Sequence, residues 1–213
     1  MAEKGKTKAR LLQAACELFA EKGFRDTTVA DICDAAEANI ASVNYYFGDK
    51  ERLYDEVWRH AFAITVSTYP IDGGVEEDSD VETCLFGYAR AVLSRIFSEG
   101  EAGLFPRLLN QEMAAPTLAL DKIASEALLP QSRQVEDVIK KQFGDRCDDH
   151  LLRLCKLSII GQCAFYNFSR PLRERVMGIK NVLPEEIDRM ARHIASFSLG
   201  GLKQIQKQTE NRN

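Results

Sequence analysis

Residues 27–54 read TTVADICDAAEANIASVNYYFGDKERLY, and the fold follows from this stretch. Val29, Ile32, Cys33 and Ala36 recur at i, i+3, i+4 and i+7, the narrow apolar stripe of a short helix. Thr28 opens it: the hydroxyl can accept from the backbone N–H of Asp31 while the Asp31 carboxylate reaches back, a shortened capping box. Glu37-Ala38 leaves that helix, and Asn39 caps a second over 40–47. Gly48-Asp49 ends the second and caps a third, which runs from Lys50 through Leu53, Val57 and Phe62 to Ser67. Two short helices joined by a tight turn make a helix-turn-helix.

The second of these helices is the candidate reader of a duplex. A major groove about 12 Å wide admits one helix, braced by the first helix across the backbone. Val43 and Phe47 point inward, which leaves Ala41, Ser42, Asn44 and Tyr45 on or near the opposite face. Small side chains at 41 and 42 let the helix sit deep. Asn44 carries both a donor and an acceptor and suits an adenine edge, and Ser42 suits base or phosphate. Ile40 either contacts a thymine methyl or packs inward. Tyr45, Tyr46, Thr28 with its helix N-terminus, and Lys50 at the next N-terminus are candidates for phosphates. The plainer reading makes Thr28 and Asn39 helix caps, Tyr45 and Tyr46 half-buried aromatics, and Lys50 a solvated charge.

Outward from this centre the helical period continues. A first helix spans about 6–22, with Leu11, Ala15, Leu18 and Phe19 on one face; it stops at Gly23, and Phe24 folds back as the apolar cap contact. The run PIDGGVEEDSD at 70–80 reads as an exposed loop. Apolar-periodic stretches follow at 81–98, 104–114, 117–129, 131–143, 148–169, 172–177 and 185–207, and Pro130 is expected to break or kink the chain between the third and fourth. Strict alternation persists nowhere, so the fold class is all-α. It divides into a helix-turn-helix DNA-binding domain over 1–50 and a helical effector-binding and dimerisation domain over 51–213.

The composition fits. A chain of 213 residues, 45% apolar and 28% charged, is ordinary for a globular protein and long enough for a real core. No apolar run reaches the ~18–20 residues of a membrane span, and the polar start MAEKGKTKAR lacks a signal-peptide core, so a cytoplasmic protein without a membrane partner is expected. Net charge is −4, and residues 1–60 hold nine Lys/Arg against eleven Asp/Glu. Nucleic-acid contact must therefore come from local arrangement and a basic arm (Lys4, Lys6, Lys8, Arg10) rather than from bulk attraction. Six scattered cysteines without a CxxC pair read as reduced core residues. Cys147 and His150 have i, i+3 spacing but no further ligand, so neither a metal nor a cofactor is expected.

Residues 27–54, with Ala14-Ala15, Leu18-Phe19 and Gly23-Phe24 before them, resemble the DNA-binding segment of TetR-family transcriptional regulators. Carried over one at a time, the family's recognition positions fall on Thr28, Asn39, Ala41, Ser42, Asn44, Tyr45 and Lys50. Two residues depart: Glu37 stands where the family has its turn glycine, and Asn44 where it has its first tyrosine. The stretches RLLNQEMAAPTLALDKI (107–123) and IIGQCAFYNFSRPL (159–172) look like the C-terminal domain of the subgroup that includes the CecR regulators. The resemblance implies a repressor that binds a palindromic double-stranded DNA operator as a homodimer and is released by a small-molecule effector of unknown identity.

One recognition helix touches too few base pairs to single out a site, and a two-fold dimer doubles the reading. Ile187, Met190, Ile194, Phe197, Gly201 and Ile205 follow helical spacing on the last helix, and Leu151, Leu154, Ser158, Gln162 and Phe165 on an earlier one. These stripes build either a four-helix interface between subunits or the monomer's own core. Effector contacts are sought among aromatic and polar residues of the helical stretches: Phe86, Phe105, Arg107, Gln111, Met113, Gln162, Tyr166 and Arg170. An effector there would shift the helix that begins at Lys50 and move two recognition helices out of register. Two other functions compete, a helical thiol-reactive enzyme and a protein-binding adaptor that has lost DNA contact.

Overall fold

A computed structural model describes residues 2–76, 78–176, 178 and 182–211, and the side chains of all of these except residues 2–4 and 145. Every regular element among them is helical: α1 (Ala2–Asp26), α2 (Val29–Ala35), α3 (Ile40–Phe47), α4 (Lys50–Thr68), α5 (Val81–Phe97), α6 (Leu104–Ala114), α7 (Leu120–Ile123), α8 (Leu129–Phe143), α9 (Asp149–Phe168), α10 (Arg170–Val176) and α11 (Pro184–Glu210). The expected boundaries match within a few residues, with two physical differences. Pro130 does not break the chain. A π-turn over Ala124–Leu128 runs directly into α8, whose first turn holds Pro130, so the expected break or kink takes the form of that distortion in a continuous helical run. The expected basic arm is also different: residues 2–10 are the opening turns of α1.

Packing divides the chain into two compact units, 1–68 with 98–127, and 69–97 with 128–213. In the first, α1 buries Leu11, Ala15, Cys16 and Phe19. The helical backbone is interrupted at Gly23, with φ at 80° and ψ at 172°, a conformation that a β-carbon disfavours. Past it Phe24 turns back onto Phe19, ring centroids 5.9 Å apart, and onto Tyr54 at 5.1 Å. α4 contributes Leu53, Tyr54, Val57 and Trp58, all buried. α6 lies against α1 and α4, so a helix from beyond residue 97 completes the core around the helix-turn-helix. Each large apolar side chain buried here contributes about 1.5–3 kcal/mol.

In the second unit α5 packs against α8, α9 and α11. Leu85, Leu93, Val135, Ile139, Phe143, Ile159, Ile194 and Leu202 form its interior. The 70–76 loop lies directly on α5 at Gly87: a β-carbon there would fall 2.3 Å from Val75 Cγ2, so only glycine permits that approach. Among the described residues no helix is long and apolar enough to cross a membrane.

Candidate nucleic-acid interface

The turn between α2 and α3 is held by the backbone. Glu37 N donates to Asp34 O at 3.2 Å, and Ala38 N donates to Cys33 O at 2.9 Å. Glu37 takes φ of 48°, and among the described residues it is the one non-glycine in the left-handed region. That conformation costs about 1–2 kcal/mol for a residue with a β-carbon. Arg10 Nη2 of α1 donates to the Glu37 carbonyl at 3.4 Å. The turn thus forms without the glycine that the resemblance calls for.

α3 starts where Asn39 Oδ1 accepts from Ala41 N at 2.9 Å. It is anchored by Val43 and Phe47, both buried. Lys8 braces the far end, its ammonium 5.2 Å from the Phe47 ring centroid and 2.9 Å from Glu56 Oε2. Asn39, Ile40, Ala41, Asn44 and Tyr45 are exposed, and Ser42 and Tyr46 are half-buried. Ile40 faces outward and does not pack inward. Tyr45, 68% exposed, stands edge-on to Tyr46 with centroids 4.9 Å apart. The free side of α3 is therefore slim at 41 and 42, polar at 44, and flanked by a tyrosine pair.

Thr28 and Lys50 share a second patch. The Asp31 carboxylate accepts from Thr28 N at 2.9 Å and from the Thr28 hydroxyl at 2.7 Å, while Asp31 N donates to Thr28 Oγ1 at 3.1 Å. The capping box is complete, and a carboxylate already occupies the N-terminus of α2. Those bonds from Thr28, backbone first, with the charges of Lys22 and Lys50, hold the Asp31 carboxyl below its ordinary range. Lys50 places its ammonium 4.3 Å from the Phe24 ring centroid. Partial burial lowers its pKa, against the opposing pull of Glu51, Asp26 and Asp31.

The residues sought for an effector fall into two sets. Phe105, Arg107, Gln111 and Met113 belong to the first unit. Phe105 is buried, its ring 4.9 Å from Phe62, while Arg107 is exposed with Nε on the Gly103 carbonyl at 3.3 Å, and Met113 is exposed. Gln111 Nε2 donates to the carbonyl of Glu21 at 2.8 Å, which ties α6 to the end of α1 left open by the break at Gly23. Its neighbour Glu112 is buried and accepts from Thr117 N and Oγ1 at 3.0 and 2.8 Å. Burial and the Glu112 charge push the Tyr54 phenol up, although its hydroxyl makes no hydrogen bond of ordinary geometry.

Phe86, Gln162, Tyr166 and Arg170 belong to the second unit. Phe86 is half-buried under the Arg192 guanidinium at 5.1 Å. Gln162 Nε2 bridges Ser158 O at 3.1 Å and Ser198 Oγ at 3.0 Å, so its amide joins α9 to α11. Tyr166 sits 6.1 Å from Phe97, and Arg170 is exposed and paired with Glu174 at 2.9 Å. The helical stripes divide as well. Ile194 is buried and Ile187, Met190 and Ile205 pack against the interior, whereas Phe197, 67% exposed, and Gly201 face outward.

Comparison with known proteins agrees with this geometry. Residues 82–202 match the C-terminal domain of the HTH-type transcriptional dual regulator CecR, and residues 11–57 match the tetR family of bacterial regulatory proteins.

The chain belongs to the TetR family.

Its C-terminal domain is of the CecR type, and the family is one of transcription regulators rather than enzymes. The TetR-type segment is 46% identical over 52 residues to the HTH-type transcriptional repressor KstR2 of Rhodococcus jostii, covering 24% of this chain and 26% of that one. It is 34% identical over 58 residues to the repressor NicS of Pseudomonas putida, 27% of each chain. The chain thus spans about a quarter of the length of the curated relatives it matches. Solved TetR-like structures share the fold over nearly the whole chain. The regulator FadR of Bacillus subtilis, in complex with stearoyl-CoA, superposes with a TM-score of 0.67 at 15% identity, covering 91% of this chain and 98% of that one. A TetR-like regulator from Rhodococcus sp. RHA1 gives 0.66 at 14% identity, covering 92% and 96%.

What sequence reading missed is mostly bracing contacts: Lys8 under Phe47, Arg10 on the turn, and the pairing of Lys50 with Phe24. Their partners are far apart in the chain, and no local spacing announces them.

Proposed function

We propose that this TetR-family protein is a transcriptional repressor that reads a two-fold symmetric DNA operator as a homodimer and is released by a small molecule. The reading rests on one observation above all: α3 buries Val43 and Phe47 and turns Ala41, Ser42, Asn44 and Tyr45 to the outside, in a segment close in sequence to named repressors. In this reading Ile40, Ala41, Ser42 and Asn44 meet base edges, and Asn39, Tyr45, Tyr46, Thr28 and Lys50 meet the backbone. Residues 1–50 do the reading, and 51–213 hold the effector and the partner subunit.

Support for the dimer comes from the open faces of α9 and α11. Leu154, Leu157 and Phe165 on one, and Phe197 on the other, are exposed large apolar residues. A β-carbon added at Gly161, Gly200 or Gly201 would meet nothing within 4 Å, so a second backbone has room to approach. Two copies joined there would present two copies of α3, as half-sites one helical turn, about 34–36 Å, or a multiple apart require.

We assign effector contacts to Phe86, Gln162, Tyr166 and Arg170, and relay of the shift to α1 to Phe105, Arg107, Gln111 and Met113. Because the structural relative from B. subtilis was seen with stearoyl-CoA, a long-chain acyl-CoA is the first effector class to test. By linkage, an effector that weakens operator must itself be weakened by operator to the same degree. The thiol-reactive alternative is disfavoured by chemistry: burial pushes Cys16 and Cys163 up to about 12, and burial first and then the Asp148 charge raise Cys147, so none of the three favours the thiolate.

The test is selection of bound fragments from genomic DNA by the purified full-length protein, then a salt titration on the selected site. A palindromic site bound with affinity that falls steeply with salt is expected. Indifference to every duplex at low ionic strength overturns the reading.

A further inference from the structure

The second unit buries a charge that the proposed function does not use. Arg95 is 4% exposed and lies on the same face of α5 as the buried Tyr88 and Ala91. Nε and Nη2 both donate to the carbonyl of Tyr69, at 3.1 and 2.6 Å, and Nη1 donates to Gln131 Oε1 at 2.6 Å. Both acceptors are neutral. Burial pulls the guanidinium pKa down to about 10, with Tyr88 and Asp72 opposing. A buried charge on neutral acceptors carries a desolvation penalty that a methionine or leucine would avoid. Packing alone does not account for an arginine there.

Its place along the chain does. The polypeptide passes between the two compact units at 68/69, 97/98 and 127/128. Tyr69 is the first residue after the first crossing, Arg95 stands just before the second, and Gln131 lies just after the third. One guanidinium thus ties together a residue beside each crossing, all three on the second unit's side. Tyr69 directly follows α4, where helical carbonyls lack intrahelical donors and favour a cation. Gln131 lies in the first turn of α8, directly after the π-turn that ends unit one's run of chain. The planar fork of an arginine serves two separate acceptors in fixed directions, which a lysine ammonium on its flexible stem does not.

We infer that Arg95 is a positioning residue that holds Tyr69, α5 and the start of α8 in one register within the second unit, so that Tyr69 cannot shift without displacing α5 and the start of α8. The consequence at the operator rests on the release mechanism proposed above, but the lock itself is tested without DNA or effector.

The test is hydrogen exchange, read by mass spectrometry, on the full-length protein. Arg95→Met should raise exchange at least tenfold at 66–71, 95–104 and 127–133 together. Leu93→Ala, a cavity in the same helix, should instead raise it across the interior of the second unit without selecting those segments. Arg95→Lys should restore protection at 66–71, where one cation suffices, but not at 127–133. If Arg95→Met proves too unstable, Gln131→Leu removes one acceptor at a half-buried position. It should still raise exchange at 66–71, about sixty residues away in sequence. A pattern for Arg95→Met like that of Leu93→Ala, or no change at 66–71 in Gln131→Leu, overturns the inference.

Discussion

α3 and the α9–α11 pair obey the same rule and differ in what they leave uncovered. Each buries one apolar side: Val43 and Phe47 in α3, Ile159 and Cys163 in α9, Ile194 and Leu202 in α11. The open side of α3 carries small and polar residues and a tyrosine, whereas that of α9 and α11 carries leucines, phenylalanines and glycines. An uncovered polar rod suits hydrated base edges, and an uncovered apolar face seeks another apolar face. Amphipathic period places both helices, and the residues outside the buried stripe set the chemistry of the face left open.

The comparison breaks most visibly at the apolar face. Leu157→Glu combined with Phe197→Glu puts charge where two copies would meet, at positions 68% and 67% exposed. Sedimentation should show a dimer at least a hundredfold weaker, about 3 kcal/mol, with unchanged helical circular dichroism. A protein that sediments as before removes this surface from the dimer.

At the polar face the effects are smaller and of two kinds. Asn44→Ala should relax preference at one base step by about 1–3 kcal/mol, read by competition between selected and single-base-changed duplexes. Equal loss on specific and random DNA would falsify the role of Asn44 as a base reader. Tyr45→Ala should weaken both kinds of duplex alike, by less than the Asn44 discrimination.

Beneath the polar face, Glu37→Gly relieves the left-handed strain of the turn while adding freedom to the unfolded chain, for a net stabilisation of up to about 1 kcal/mol in thermal or urea unfolding. A destabilised variant would mean that the Glu37 side chain itself holds the turn. The smallest effect belongs to Asp31. Its carboxyl sits below its ordinary range in the folded protein, so it contributes stability above the unfolded pKa, and that contribution is lost as pH falls through the folded one. Asp31→Asn should therefore flatten the acid limb of the stability profile and leave the alkaline side unchanged.

Much of this was legible in sequence because it is local. The Thr28–Asp31 capping box, the Asn39 cap and the stop at Gly23 each involve groups within a few residues, and all appear as expected. The helix boundaries follow from the 3.6-residue period. The candidate effector residues were less legible. Gln162 stands out as an amide in an apolar run and Gln111 does not, and a sequence does not say whether such an amide meets a ligand or a neighbouring helix. Here their amides meet the carbonyl of Glu21 and the hydroxyl of Ser198. The last helix posed the same problem: its spacing put Ile194 and Phe197 in one stripe, and a stripe wide enough for both is divided between interior and surface only by the helices around it.

By itself, the order of residues determined that this chain is helical, where its helices start and stop, and which short helix presents a slim polar side. Those properties depend on backbone hydrogen bonding, caps and period, which act over one or two turns. Tertiary structure alone decided that α6 completes the core around the helix-turn-helix, that Lys8 and Arg10 brace α3 and its turn, and that Arg95 gathers Tyr69 and Gln131. These contacts join residues many turns apart, and no local preference encodes which distant group will fill a given space or satisfy a given donor.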